Sequence, residues 1–226
     1  MRSEEFLAQV PLFQSLSPED RKALSVAIRT ESLKKGEVLF REGSEGSSLY
    51  IVKKGRIKIL RTSPKGDEVI LAIFSEKDFF GEMALLDDVP RSADAVALEP
   101  SELFALNRRD FFAFLKNNES AVQSILRSLS MRLRRTDDLL EDTCFLNISR
   151  RFAKKLVDLA EQYGTPEANS TLIDLELKQR DLAGMIGASR ESVNKELRLL
   201  REKGLITLHG SKIRIHNLDL LRRYIH

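Results

Sequence analysis

The chain has 226 residues, 42% of them hydrophobic and 31% charged, enough apolar material for one or two domains with true cores. No apolar run approaches the roughly 18 residues of a membrane span, and the N-terminal stretch MRSEEFLAQV has no signal-peptide core. The lone Cys144 excludes an internal disulfide framework or a four-thiolate metal site, so a cytoplasmic protein with no membrane partner is expected.

The net charge is only +3, but it is unevenly spread. From Asn147 onward there are 15 Lys+Arg and 10 Asp+Glu, whereas the first 146 residues hold 22 basic and 24 acidic side chains. A basic C-terminal third points to an anionic partner, nucleic acid being the usual one, or simply to a solvated helix surface.

The first clear element is SLSPEDRKALSVAI, a helix with Ser17 as N-cap, Pro18 at N1, and Glu19 and Asp20 at the positive end of the dipole. After Thr30, short Val/Ile/Leu/Phe/Tyr-rich segments alternate with polar residues: EVLFRE, SSLYIVKKG, RIKILRT, EVILAIFS, SADAVAL and SELFALN. Glycines at 36, 43, 46, 55, 66 and 81 punctuate them, which predicts an all-β sandwich or barrel-like roll. Ile57 and Ile59 beside Lys58, and Val69 and Leu71 beside Ile70, suggest strands buried on both faces.

Helical texture returns at NRRDFFAFLKNN, where Asn107 can cap and Asp110 sits at N3. From about residue 120 to 145 there is neither Pro nor Gly, and Val122, Leu126, Leu129, Leu133, Thr136, Leu140 and Thr143 follow a 4-3 spacing. That is a coiled-coil seam, whose partner is either a second copy, giving a parallel homodimer, or the chain's own β-domain. Thr136 is a polar residue in the seam, of the kind that fixes register or touches a ligand.

A second, helical domain follows. In ISRRFAKKLVDLAEQYG, Phe152, Leu156, Leu159 and Tyr163 share a face, and Gly164 reads as the stop; TPEANST reads as a loop. LKQRDLAGMIGASRESVNKELRLLREKGLI predicts two helices meeting at Gly187, the second capped by Ser189 and ended by Gly204. LITLHGSKIRIHN predicts a hairpin turning at Gly210 and Ser211. Two short helices around a glycine turn, then a hairpin, describe a winged helix-turn-helix, with Ala183, Ile186, Val193, Leu197 and Leu200 holding the pair together. The second helix would present Arg190, Glu191, Asn194 and Lys195 to base edges, since Arg and Lys suit guanine and Glu suits cytosine N4. Lys178, Arg180, Ser189 and Lys212 would touch phosphates.

FGEMALLDDVPRSA, residues 80–93, is the other conspicuous stretch. Gly81 lets the backbone turn into a short helix with outward N–H groups, which Met83 and Ala84 begin. Glu82 suits a sugar hydroxyl, Arg91 suits a phosphate with Ser92 as an added donor, and Pro90 stiffens the turn. These residues describe either a nucleotide held at one end or a Glu82–Arg91 salt bridge closing a surface loop.

This segment resembles the phosphate-binding cassette of cyclic-nucleotide-binding domains, including its Glu-to-Arg spacing. GEVLFREGSEGSSLYIVKKGRIKI is similar to the same domain's leading strands, and GASRESVNKELRLLREKGLI to the recognition region of the cyclic-AMP receptor protein/fumarate-nitrate regulator (Crp/Fnr) family. The resemblance runs in order over nearly the whole chain. It implies an α+β architecture: an effector-sensing β-roll of the cyclic-nucleotide-binding, jelly-roll-like kind over 1–118, a dimerisation helix over 119–146, and a winged helix-turn-helix over 147–226. It further implies a homodimeric bacterial transcription regulator on a near-palindromic site in double-stranded DNA, with RNA polymerase as a protein partner and cyclic AMP as the favoured effector. The ligand-binding set carried over is Gly81, Glu82, Met83, Ala84, Arg91, Ser92, Thr136 and Asp137. In it Glu82 takes the ribose hydroxyl, Arg91 and Ser92 the cyclic phosphate, and Thr136 the adenine. Arg190 and Glu191 match the family's DNA-reading pair.

The chain departs from the cyclic-AMP type at three places. Lys195 stands for an arginine base reader. Asp137 stands where serine is usual, losing a hydroxyl and adding negative charge near a negative ligand. Lys178 replaces a small hydroxyl residue, which should weaken the cap of the first helix of the turn. The oxygen-sensing branch needs a cysteine cluster, and the haem branch a ligand on the roll, whereas His209, His216 and His226 all lie C-terminal. No metal, haem or iron–sulfur cluster and no enzymatic activity are expected, since no catalytic constellation is present. Two alternatives accompany this reading: a regulator of the same family that needs no effector or senses another molecule, and a cyclic-nucleotide-binding signalling adaptor without a DNA function.

Overall fold

The computed structural model describes residues 3–116 and 118–225, in two compact units. One comprises Met1–Arg61 and Leu71–Arg134, the other Thr62–Ile70 and Arg135–His226.

In the first unit, α1 (Ser3–Leu7) and a short 3-10 turn at Pro11–Phe13 lead to α2 (Pro18–Ala27). Ser17 caps α2 by accepting from the Asp20 N–H at 3.0 Å. Eight strands follow: β1 (Arg29–Leu33), β2 (Val38–Phe40), β3 (Ser48–Lys54), β4 (Ile57–Thr62), β5 (Glu68–Phe74), β6 (Phe79–Phe80), β7 (Asp94–Ala97) and β8 (Ser101–Asn107). The short helix α3 (Met83–Leu86) interrupts them. They form two four-stranded sheets, in the orders β1-β8-β3-β6 and β2-β7-β4-β5. Leu33, Val52, Ile57, Phe74, Phe80, Ala95, Ala97 and Leu103 cluster between them as one buried core. The six expected strand segments are all present, and the fold is the β-roll with helices that was expected.

Burial on both faces, expected of the strands around Lys58 and Ile70, is incomplete in both: β4 buries Ile57 and Leu60 but leaves Lys58 and Ile59 half-buried, and β5 has one face open. There Ile70 is buried whereas Leu71 is 47% exposed, the alternation of a strand with one face open.

Helix α4 (Arg108–Lys116) is capped by Asn107, whose Oδ1 accepts from Asp110 N–H at 3.0 Å. Helix α5 (Glu119–Phe145) runs for 27 residues. Its buried Ala121 and Ile125 join the second core, with Phe6, Phe13, Phe104, Phe111 and Phe114. The seam residues lie on another face: Leu126, Leu133 and Leu140 are 58%, 64% and 64% exposed. Only Leu129 of the seam leans on the core.

The C-terminal segment begins with α6 (Ile148–Tyr163), burying Phe152, Leu156 and Leu159 as the spacing requires. Gly164 is not a left-handed stop, because its φ is −79° and the chain goes straight into a strand. The segment read as a loop is a hairpin, β9 (Gly164–Glu167) and β10 (Ser170–Ile173). Its Thr and Ser side chains carry no hydrophobic alternation, so the pairing is legible only once the wing is present. The wing is β11 (Ile206–His209) and β12 (Lys212–Ile215), turning at Gly210 with φ +61°, and the sheet order is β11-β12-β10-β9. Helices α7 (Gln179–Ile186) and α8 (Arg190–Glu202) meet at Gly187, whose φ of +59° is one that glycine adopts without the Cβ penalty. The chain ends in α9 (Leu218–Arg223). Among the described residues no helix is long and apolar enough to cross a membrane.

Candidate ligand pocket and DNA-reading surface

The cassette is built where β6 runs into α3. Gly81 makes the turn with φ +82°, and a Cβ built there would lie 2.7 Å from Arg91 Nη1. The position therefore needs glycine for both backbone and space. Glu82 follows, wholly buried, and its carbonyl accepts from the N–H groups of Leu85 and Leu86 at 3.0 Å each. Met83 is exposed, whereas Ala84 is buried under the loop before β3.

Arg91 is 4% exposed. Its Nη1 donates to the Gly81 carbonyl at 2.6 Å and its Nη2 to the Ser48 carbonyl at 2.8 Å. The guanidinium lies over the Phe40 ring at 4.2 Å and near Tyr50 at 5.6 Å. Burial pushes its pKa down, against the opposing pull of Tyr50 and Glu82. The Tyr50 phenol is pushed up, chiefly by burial and then by Glu31. Ser92, next along, is exposed.

The salt-bridge alternative is not what forms. Glu82 pairs with Arg132 on α5 through Oε1, while Arg91 spends its terminal nitrogens on carbonyls. Each of the two cassette residues is left with one buried polar atom lacking a partner, Oε2 on Glu82 and Nε on Arg91. A buried acceptor and a buried donor left over on two charged side chains are costly unless something completes them. A ligand carrying a hydroxyl and an anionic oxygen does so, and the residues present fit a nucleotide. Thr136 and Asp137 lie on α5 one turn beyond Arg132 and are exposed.

Several of these residues carry no signal in the sequence. Arg132 reads as surface charge on a long helix. Phe40 and Tyr50 read as strand core, and Ser48 contributes only a carbonyl.

On the second unit, Ser189 caps α8, its Oγ accepting from Ser192 N–H at 3.2 Å. Val193, Glu196, Leu197 and Leu200 face inward, and Ala183 and Ile186 of α7 are buried as well. Arg190, Glu191, Asn194 and Lys195 are all exposed. They form two i,i+4 rows on one face, Arg190 with Asn194 and Glu191 with Lys195. The Glu191 carboxyl is held below the usual range by its own backbone N–H and then by the Ser189 hydroxyl, so it stays an acceptor.

Lys178 occupies the N-cap of α7 and its side chain supplies no cap. Asp181 at N3 supplies the other half of a capping box, accepting from the Lys178 backbone N–H at 2.9 Å. The N-cap N–H is thus anchored, while the first-turn N–H that a hydroxyl at 178 would serve has no side-chain cap. Arg180 is exposed, and Lys212 on the wing pairs with Asp174 at 2.5 Å. Among the described residues no group of three or more His, Cys, Asp or Glu could hold a metal ion.

Known proteins match this chain in sequence and fold. A cyclic nucleotide-binding domain model fits residues 30–118, and a Crp-like helix-turn-helix domain model fits residues 150–224. The chain is 33% identical over 220 residues to the CRP-like cAMP-activated global transcriptional regulator of Mycobacterium tuberculosis, covering 97% of this chain and 98% of that protein. It is 32% identical over 211 residues to the cyclic AMP receptor protein of Thermus thermophilus, covering 93% and 94%. Among solved structures, FixK2 from Bradyrhizobium japonicum shares the fold with a TM-score of 0.77 at 18% identity, over 88% of this chain and 98% of that one.

Proposed function

The chain belongs to the Crp/Fnr family of DNA-binding transcription regulators and carries a cyclic-nucleotide-binding domain, and from that premise we propose that it acts as a homodimer whose affinity for DNA is set by a cyclic nucleotide. Cyclic AMP is the favoured effector, as the names of the Mycobacterium and Thermus relatives suggest for those proteins. The observation that carries this reading is the pair of buried orphan atoms, Glu82 Oε2 and Arg91 Nε. A ribose hydroxyl donates to the first and a cyclic phosphate accepts from the second, with Ser92 as a further donor. Thr136 reads the base from α5.

The exposed seam of Val122, Leu126, Leu133 and Leu140 then meets a second copy, because such a stripe on a charged helix is the surface a coiled coil buries. Paired helix-turn-helix units read half-sites about 34 Å apart on a near-palindromic operator. Control is a population shift. A coupling of about 1–3 kcal/mol between ligand and DNA is typical, and a modest differential contact at α5 supplies it. RNA polymerase is the expected protein partner of the DNA-bound dimer.

A gel shift on an operator fragment tests this directly. DNA binding should tighten on adding cyclic AMP, and unchanged binding would defeat the effector half of the proposal.

Asp137 favours a second reading, a regulator of this family that needs no cyclic nucleotide or senses another molecule. Its carboxylate would face a negative ligand and lacks the hydroxyl that would reach the base. Changing Asp137→Ser separates the two readings. Tighter cyclic AMP binding in calorimetry supports a nucleotide pocket with a tuned-down base end, and no binding in either form supports the second reading.

A further inference from the structure

We propose that His209 makes the wing a proton-gated contact for DNA phosphates: neutral, the ring is tied to Arg214, whereas protonated it breaks that tie and leaves the wing one released positive charge. The inference rests on the DNA-binding reading above, with the wing lying against the duplex. It goes beyond that reading in linking the affinity to a proton.

Between Ile206 and Ile215 the permanent cations are Lys212 and Arg214, and there is no carboxylate. Both cations are already matched by acids outside the wing. Lys212 Nζ lies 2.5 Å from Asp174, just after β10. Arg214 grips Glu167 on β9 with two nitrogens, Nε to Oε2 at 2.8 Å and Nη2 to Oε1 at 3.4 Å. The wing with a neutral His209 therefore offers little uncompensated charge to a duplex. His209 is exposed, stands opposite Lys212 in the hairpin register, and directly precedes the turn at Gly210.

The bond that holds the ring also fixes its protonation state. Arg214 Nη1 lies 2.6 Å from His209 Nε2. A guanidinium can only donate, so Nε2 accepts, and the ring is neutral with its proton on Nδ1. A second proton on Nε2 consumes the accepting lone pair and sets a cation against the guanidinium. The carboxylate of this cluster is Glu167, which also accepts from Ser170 Oγ at 3.1 Å. Its carboxyl is held below the usual range, first by the hydrogen bond from Arg214, with Ser170 and His209 acting the same way. It thus stays anionic where histidines titrate, and two cations then compete for one carboxylate. Whichever of them takes Glu167, the other is released at the wing surface. Among the described residues, no charged side chain of α8, which packs on β11, is bonded to the ring.

The sign of the linkage follows. The DNA-bound chain holds up to one proton more than the free chain, so affinity rises as the pH falls through the histidine range. The released cation meets phosphate rather than a base edge, so the gain is independent of sequence and adds about one to the salt slope per bound chain.

The test is fluorescence anisotropy on the full chain, with cyclic AMP present throughout. The probes are a duplex selected by the wild type from a random-sequence pool and a scrambled version of it. Titrations run from about pH 8 to about pH 6 at several salt concentrations, in wild type, His209→Gln, Glu167→Gln and His216→Gln. His216 is the control, because its Nε2 is engaged by Thr207 Oγ1 instead. Wild type should bind both duplexes about three- to tenfold tighter at the low-pH end, with the steeper salt slope. His209→Gln should stay at the wild type's high-pH level throughout, and His216→Gln should keep the response. Glu167→Gln releases Arg214 at every pH, so at high pH it should already bind as tightly as wild type does at low pH. A flat wild type, a full response in His209→Gln, or a gain confined to the selected duplex would overturn the inference while leaving the DNA-binding reading intact. Wild-type protein that binds neither duplex at any pH would remove that reading, and the inference with it.

Discussion

The guanidinium carbon of Arg91 lies 4.2 Å from the centroid of the Phe40 ring, with two of its nitrogens already bonded to the carbonyls of Gly81 and Ser48. The phosphate-reading candidate is thus also a structural strut joining the cassette to the start of β3. Replacing it has two effects. Arg91→Ala should abolish measurable cyclic AMP binding, and it should also cost roughly 2–4 kcal/mol of domain stability by stranding two carbonyls. Arg91→Lys should recover part of the stability and little of the binding, since an ammonium cannot serve both carbonyls and a phosphate. Thermal melts beside calorimetry distinguish the two effects; an Arg91→Ala protein that binds as wild type does would refute the role.

The reading helix separates specificity from affinity. Arg190→Ala should cost about 1–3 kcal/mol on the operator and relax one base position, with little change on random DNA. Lys178→Ala should weaken both alike and lower the salt slope by about one. Filter binding on specific and scrambled duplexes at several salt concentrations measures this. Equal losses on both duplexes for Arg190→Ala would contradict base reading.

Glu191 carries a signature in its titration. Its carboxyl is depressed by hydrogen bonds to its own N–H and to Ser189, so it contributes to the folded state above the unfolded-chain value. That contribution is lost as the pH falls through the lowered value. An NMR titration should find Glu191 below an ordinary glutamate, and Ser189→Ala should move it upward. No movement would show that the Ser189 hydroxyl does not act on it.

Asp181 is the anchor of α7, accepting from Lys178 N–H. Asp181→Ala should destabilise the DNA-binding segment by about 0.5–2 kcal/mol, the range for losing a helix N-terminal cap. Chemical denaturation of the full chain, followed by a probe on the C-terminal segment, should show that change, and a shift under a few tenths of a kcal/mol would refute the anchor.

The seam offers a test that leaves the fold alone. Leu133 and Leu140 are each 64% exposed, so Leu133→Lys and Leu140→Lys should move the stability of a single chain by no more than about 0.5 kcal/mol. Sedimentation should nevertheless show monomers for the double variant, and operator binding should fall. A double variant that sediments as a dimer would place the interface elsewhere.

How much was legible in the sequence divides along physical lines. Periodicity and capping chemistry are local, so Ser17, Asn107 and Ser189 cap where expected and the turns at Gly187 and Gly210 are present. The roll's strands are legible because glycines separate short apolar runs. The β9–β10 hairpin is not, since GTPE and STLI show no apolar alternation and β10 is ordered by pairing with β12, 40 to 44 residues on. In the cassette, Glu82 and Arg91 stand out by type and spacing. Their partners do not, because Arg132 lies 50 positions from Glu82 and Ser48 lies 43 from Arg91. One-dimensional patterns carry no information about such distant pairings.

Gly46 sets a limit on what the pocket tolerates. Its φ lies outside the left-handed range that favours glycine, yet an added methyl would sit 2.4 Å from Ala84 Cβ and 3.2 Å from the Arg91 guanidinium carbon. Space alone excludes a side chain at this position. The loop before β3 and the short helix α3 close like the faces of a calliper, with Arg91 between them and no allowance for a shim. Even the smallest side chain at residue 46 would wedge that calliper apart, pushing Ala84 and the Arg91 guanidinium from the places they hold now.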